Sequence, residues 1–288
     1  MREYLDILER ILNEGEWKET RPGLKALSIS GMMFEHDMSK GFPLLTTKYM
    51  AKKSMLVELE GFIKGITDKN WYQERGCSIW DEWCNPEKVP YGHDEETKKR
   101  MMNENNLGPM YGFQWRHFGA KYEDEQYNYR GRGIDQLGKL IETIQTNPND
   151  RRMIVSAWNP LDLNRMALPP CHYGFQVIVT NNKLDLLWNQ RSIDTPLGLP
   201  FNIASYGTLL HLLARQTDKQ EGKLVGFLGD VHVYEDQIDI AKEQLKREPL
   251  DLPTIKTQDF ESIFDWTHNK TTFENYNHHP KLDYPIAV

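Results

Sequence analysis

The sequence predicts an α+β fold in which helices pack against a large sheet. Three observations carry this. Apolar residues recur at helical spacing in several segments, runs rich in β-branched and aromatic residues read as strands, and no glycine-serine or charged linker divides the chain. Residues 1–288 therefore read as one domain, large enough at 33.8 kDa to bury a sizeable core.

The elements follow in order. Tyr4, Leu5, Leu8, Ile11 and Leu12 recur at helical spacing until Gly15 stops the pattern, so the chain opens with an amphipathic helix. Arg21-Pro22-Gly23 makes a turn before a strand over Ala26 to Phe34. Lys52 to Lys64 reads as a helix with Leu56, Leu59 and Ile63 on its buried face, and it carries Glu58 and Glu60. Trp80 and Trp83 stand three apart, as core or as a stacking platform for a flat ligand. Residues 86–106 are polar and charged, with helical periodicity only from Glu95 to Asn103, and look like a surface insertion. A turn over Leu107 to Gly112 contains Tyr111. Ile134, Leu137, Ile141 and Ile144 mark another helix, closed by Asn147-Pro148-Asn149-Asp150, and Arg151-Arg152 leads into a strand over Met153 to Trp158. Further on, Ile238 to Lys246 reads as a helix, and Leu250 to Ile255 and Phe260 to Trp266 as strand-like segments.

The stretch from Leu168 to Tyr206 holds the chemistry. Pro169-Pro170 stiffens the backbone ahead of Cys171, because each ring fixes φ and restricts the residue before it. Phe175 to Thr180 and Leu184 to Trp188 flank the turn signal Asn181-Asn182, so a hairpin begins at Cys171. Alternation along its second arm puts Ser192 and Asp194 on one side and Arg191 on the other. Asn202 to Ala214 is apolar almost all round, a buried helix with Asn202 near its start. A lone cysteine is commonly a small buried hydrophobe. The company of Cys171 points instead to a nucleophile: His172 beside it, and Arg191 as the nearest guanidinium to stabilise its thiolate. Later, Gly229 to Tyr234 alternates so that His232 and Tyr234 share a strand face and can converge on one hydroxyl.

Composition excludes several classes. A net charge of −7 and a pI near 5.8 argue against a nucleic-acid binder relying on a bulk basic surface, though not against a small anion held by a local arginine cluster. Cys77, Cys84 and Cys171 are too few for a disulfide framework, and Cys77 and Cys84 lack partners at ligand spacing, so neither disulfides nor a metal site are expected. No apolar run reaches membrane-spanning length and no signal-peptide core opens the chain, which predicts a soluble, cytoplasmic protein.

Four motifs in one order, Pro169-Pro170-Cys171-His172, Gln190-Arg191-Ser192-x-Asp194, Leu197 to Tyr206 and Gly229 to Tyr234, resemble those of thymidylate synthases. The resemblance runs from Tyr4 to Val288. It implies a large mixed sheet that pairs with its twin in a homodimer, with dUMP as substrate and 5,10-methylenetetrahydrofolate as co-substrate. It implies catalytic roles for Cys171, Glu58, Tyr111, His172, Arg191, Asn202 and Asp194. By the same resemblance Arg21, Gln190, Arg191, Ser192, Asn202, His232 and Tyr234 hold the nucleotide, and Arg151 and Arg152 cross the two-fold axis to the phosphate of the partner's site. Ile79, Trp80, Asp194, Leu197, Gly198, Phe201, Ala287 and Val288 fall to the folate. Asn202 can both donate and accept, which suits uracil, where an aspartate would suit cytosine.

The chain departs from the family pattern in places. Glu60-Gly61 stands where leucine and tryptophan are usual, Asn189 replaces a tyrosine, Arg21 to Ala26 differs from the usual phosphate loop, and Glu235-Asp236-Gln237 follows the histidine and tyrosine. Two outcomes stay open on such a site: hydride delivery, giving dTMP, or water capture of the transferred carbon, giving 5-hydroxymethyl-dUMP. Hydride transfer needs a dry, closed pocket. The synthase is the preferred reading, the hydroxymethylase the alternative, and a non-catalytic nucleotide- or RNA-binding relic a remote third, since binding alone needs no nucleophile.

Overall fold

The computed structural model describes residues 1–21 and 23–286. Along the chain run α1 (Arg2–Glu14), β1 (Glu16–Glu19), β2 (Lys25–Asp37), α2 (Lys52–Lys64), α3 (Lys69–Glu74), α4 (Glu95–Asn103), α5 (Gly112–His117), α6 (Gln136–Thr146), β3 (Ile154–Ser156), β4 (His172–Thr180), β5 (Lys183–Asp194), α7 (Gly198–Gln216), β6 (Gln220–Tyr234), α8 (Ile238–Leu245), β7 (Thr254–Thr257) and β8 (Thr271–Glu274). The fold is α+β, with β1 to β6 in a six-stranded mixed sheet and β7–β8 a separate antiparallel pair. Among the described residues no helix is long and apolar enough to cross a membrane.

The chain forms two compact units, one of residues 1–51, 179–258 and 271–288, the other of residues 52–178 and 259–270. In the first unit β1, β2 and β6 pair antiparallel in that order, and β5 lies parallel to β6. Asn181 and Asn182, between β4 and β5, both take positive φ (50° and 63°), as a two-residue hairpin turn of the primed type requires. α7 is apolar all round and buries most of its length, with Leu209, Leu210, Leu212 and Leu213 fully enclosed. It begins at Gly198, four residues before the predicted start, so Asn202 lies within its second turn.

In the second unit β3 pairs antiparallel with β4, and α2 packs against α5. Two glycines permit close approaches. A Cβ on Gly112 would stand 2.5 Å from the carbonyl oxygen of Phe62, and one on Gly61 would stand 2.3 Å from the Tyr72 hydroxyl. The predicted insertion contains α4 over the residues expected to be helical, and Cys84, Val89 and Met101 form a small core beneath it, with Tyr91 packed against them.

Several expectations are corrected. Phe260 to Trp266 is not a strand: the Ser262 hydroxyl accepts from Phe264 N–H and caps a 3-10 turn over Ile263–Asp265, which turns both Ile263 and Trp266 into the core. Ile134 lies outside α6 and is exposed, because the Asp135 side chain caps the helix at Gly138 N–H while Ile134 bridges to Phe118. Arg151-Arg152 sits in a turn, with both side chains exposed and Arg152 paired to Asp150, and the following strand shortens to β3. The strand-like stretch Leu250 to Ile255 reduces to β7, and β8 had no recognised signal among the alternating threonines and polar residues around it.

Candidate active site

In the second unit Cys171 sits immediately before β4, half-buried, and its backbone N–H donates to the Tyr111 hydroxyl oxygen at 2.9 Å. None of the three cysteines is in a disulfide. Tyr111 holds a φ of 28°, a strained value for a residue with a side chain, at the point where the turn enters α5. Its ring stacks on Phe62 of α2 at 4.8 Å and lies 4.4 Å from the His172 ring. Burial pushes the His172 pKa down to about 3, so the imidazole is neutral at ordinary pH and can act through hydrogen bonds, not as a resident cation.

Glu58 lies one turn before Phe62 on α2 and is buried. Removal from water pushes its pKa up to about 7, and the Trp80 indole offsets part of that rise. The buried Trp80 N–H is the donor nearest in effect to Glu58, although it falls outside strict hydrogen-bond geometry. Ile79 beside it is partly exposed, and Trp83 stacks on Tyr91 at 5.5 Å.

Glu60 is also buried, unlike most helix carboxylates, but its oxygens are occupied. Lys64 Nζ donates to it at 2.6 Å, and the backbone N–H and Nδ1 of His268 each lie at 2.8 Å. Burial pushes its pKa up, yet the hydrogen bonds from Lys64 and His268 outweigh that and hold it below the usual carboxylate value. The space that Gly61 leaves is filled by Tyr72, whose hydroxyl donates to the Ile66 carbonyl. The ring missing from α2 is thus replaced by one from α3.

In the first unit the end of β5 and the start of α7 bring a second polar set together. Gln190, buried on β5, donates from Nε2 to Asn202 Oδ1 at 2.9 Å and accepts from the Trp188 indole at 3.0 Å, which fixes the orientation of the Asn202 amide. Arg191 is exposed and Ser192 half-buried. Asp194 accepts from Leu197 N–H at 3.0 Å and from Gln237 Nε2 at 2.9 Å. Burial raises the Asp194 pKa, against the lowering effect of those two bonds and of His232 and Lys48. Leu197, Gly198 and Phe201 are half-buried around the start of α7.

His232 and Tyr234 stand with ring centroids 5.0 Å apart. Nδ1 of His232 faces the carbonyl oxygen of Asp230 at 3.3 Å, and a carbonyl can only accept, so in the neutral ring Nε2 is the acceptor. Arg21 is exposed in its turn. Ala287 and Val288 lie outside the described residues.

Two residues near Asp194 escaped the sequence reading of the site. Lys48 is buried, donates to the Pro196 carbonyl at 2.6 Å, lies over the Tyr284 ring, and has its pKa lowered by burial to about 8. The signal was present, since a single lysine closing the apolar run Phe42 to Leu45 and the pair Thr46-Thr47 is poorly placed for a solvated one. Gln237 stood out only as a departure after the histidine and tyrosine; the structure ties it to Asp194.

Comparison with known proteins gives the family. The family model described as thymidylate synthase matches residues 2–288. The chain is 44% identical over 287 residues to the thymidylate synthase of Herpesvirus ateles, covering 99% of this chain and 97% of that protein. It is 40% identical over 286 residues to the bifunctional dihydrofolate reductase-thymidylate synthase of Paramecium tetraurelia, covering 99% of this chain but 61% of the length of that relative. The chain belongs to the thymidylate synthase family.

Proposed function

We propose that the protein is a thymidylate synthase that moves the one-carbon unit of 5,10-methylenetetrahydrofolate to C5 of dUMP, giving dTMP and dihydrofolate. The observation that carries the reading is the Cys171 cluster. A half-buried thiol stands behind two prolines with its N–H on the Tyr111 oxygen, in the same unit as a buried carboxyl whose pKa is about 7.

In this reading the Cys171 thiolate, supported by Arg191, adds to C6 of the uracil ring and makes C5 nucleophilic. Bound folate supplies the one-carbon unit and then the hydride. Glu58 can hold or release a proton at working pH and relays it through water. Neutral His172 orients that relay by hydrogen bonding. The Tyr111 oxygen assists removal of the C5 proton as the folate nitrogen leaves the transferred carbon, and once hydride has reached that carbon the Cys171–C6 bond breaks and the thiolate leaves. Asn202, its amide oriented by Gln190, reads N3–H and O4 of uracil. His232 and Tyr234 take the sugar hydroxyl. Arg21, Arg191 and Ser192 bind the phosphate together with Arg151 and Arg152 of the partner subunit.

The donor set suits a folate. Asp194 is a half-buried carboxylate able to accept from a pterin, and the Trp80 ring is buried beside Glu58. Ile79, Leu197, Gly198, Phe201, Ala287 and Val288 complete that assignment. A homodimer fits the uncovered apolar residues of the sheet: Met33 (57% exposed) lies directly opposite Phe227 (44%) on β2 and β6, and in the second unit Ile154 is 56% exposed.

The occupied state of Glu60 and the filling of the Gly61 space by Tyr72 favour hydride transfer over water capture, because both departures leave their space and their hydrogen bonds filled. A Cys171→Ala variant tests the covalent step: it retains dUMP binding and loses all turnover. An unchanged rate would exclude the mechanism and leave a binding protein.

A further inference from the structure

Gln237 ends a short 3-10 turn, Glu235–Gln237, and is fully buried. An amide side chain has two N–H donors and one carbonyl, and here all three kinds of contact are made within one unit. Nε2 donates to Asp194 Oδ2 at 2.9 Å and to the Pro285 carbonyl at 3.0 Å, while Oε1 accepts from Tyr234 N–H at 3.1 Å. The two hydrogens of one planar group therefore join the half-buried Asp194 carboxylate to the Pro285 carbonyl. Tyr284, next to Pro285, is held separately by its hydroxyl on Gln244 Oε1 at 2.6 Å, whereas Ile286 is 76% exposed.

We propose that Gln237 is a positioning residue that couples the C-terminal segment to Asp194. Its amide can be shared between the Pro285 carbonyl and Asp194 Oδ2 only while Asp194 presents an accepting oxygen at that place. Oδ1 of Asp194 is already engaged by Leu197 N–H, so the carboxylate cannot rotate to make up for a change at Oδ2 without giving up that bond. Loss of either partner lets the amide turn and frees the other. The charged and titratable groups acting on Asp194 from the surrounding elements are His232 on β6, Lys48, Tyr4 on α1 and Tyr284, so the coupling responds to ligands that contact Asp194 as well as to its ionisation. The consequence for turnover rests on the reading of Asp194 as the folate carboxylate; the coupling itself does not.

The test is amide hydrogen exchange over residues 281–286 in the protein without substrates, read by mass spectrometry. Gln237→Met keeps the volume and removes both donors, and exchange there is expected to rise about tenfold, the effect of losing one to two hydrogen bonds. Asp194→Ala is expected to raise exchange in the same segment, and to add nothing further in the Gln237→Met background, since both act through one amide. Exchange unchanged in Asp194→Ala, or effects that simply add, would overturn the coupling and leave Gln237 a core amide. Gln237→Leu gives a second chance if Gln237→Met folds poorly, because it too lacks the donors and cannot be protonated; exchange equal to the parent in both would overturn the proposal. In turnover, Gln237→Met is expected to raise KM for the folate about tenfold while KM for dUMP moves less than about twofold. A parent protein that makes no dTMP would count against the synthase reading and leave the exchange result to decide the coupling by itself.

Discussion

The backbone N–H of Cys171 donates to the phenolic oxygen of Tyr111, a residue 60 positions earlier in the chain. That bond fixes the Cys171 backbone with a group that also sits against His172 and Phe62, so the phenol is a structural acceptor and, in the proposed mechanism, also the oxygen that assists C5 deprotonation. Tyr111→Phe keeps the stacked ring and removes the oxygen. It should lower kcat about 10²-fold, the usual scale for losing a positioned proton-transfer group, with KM for dUMP changed little. Stability should fall by about 1–2 kcal/mol as the Cys171 N–H loses its partner. Steady-state kinetics and a denaturant melt measure the two effects separately, and a kcat near the parent's would remove Tyr111 from the chemistry.

Glu58 predicts a particular dependence of stability on pH. Its folded pKa of about 7 lies above the ordinary 4.5, so the native state binds the proton more tightly than the unfolded chain does. The resulting contribution is fully present below about pH 4.5 and is lost as pH rises through about 7, by about 3 kcal/mol. Glu58→Gln cannot ionise. It should therefore be more stable than the parent at about pH 8, with the difference shrinking to nothing in acid. Urea melts at a series of pH values check this, and equal stability at alkaline pH would show that Glu58 ionises without cost.

Glu60 behaves in the opposite sense. Its pKa is held down by Lys64 and His268, so its contribution is present above the ordinary carboxylate pKa and is lost as pH falls through the folded value. Removing the imidazole in His268→Ala leaves a buried carboxylate short of a donor and should cost about 1–3 kcal/mol at neutral pH, with loosening of residues 259–270 in amide exchange. Replacing Glu60 by leucine in the same background should recover part of the loss, because the buried carboxylate short of a donor is then gone and Lys64 can turn to solvent. A double variant no better than His268→Ala would contradict the pairing.

In the proposed mechanism Asn202 sets base preference. In Asn202→Asp the carboxylate still accepts from Gln190 but has no N–H for O4 of uracil, and it can accept from the exocyclic amine of cytosine. The expected outcome is a fall of about 10²-fold or more in kcat/KM for dUMP together with tighter binding of dCMP, measured by competition. Unchanged discrimination would place base reading elsewhere.

Much of this fold was legible because local signals and tertiary packing agree. The helix over Lys52–Lys64, the helix over Glu95–Asn103 and the Asn181-Asn182 turn needed only periodicity and turn chemistry. What failed was the stretch from Phe260 to Trp266, where buried apolar residues follow a 3-10 turn set by the Ser262 cap instead of a strand. The candidate site was legible where motifs carry it, at Cys171, Gln190 to Asp194 and Asn202. Contacts made by single residues far apart in sequence were not. Nothing near Glu60 announces His268, nor does the sequence around Gly61 reveal that Tyr72 fills its space. Gln237 and Lys48 likewise gain meaning only from the carboxylate of Asp194, which tertiary structure brings to them.

The most direct test of the central claim is the product formed from dUMP and methylenetetrahydrofolate, identified by mass spectrometry while folate oxidation is followed by absorbance. The account predicts dTMP with an equal amount of dihydrofolate, and no product from Cys171→Ala. Formation of 5-hydroxymethyl-dUMP with the folate left as tetrahydrofolate would contradict it, and would mean that water reaches the transferred carbon despite the occupied Glu60 and the Tyr72 ring.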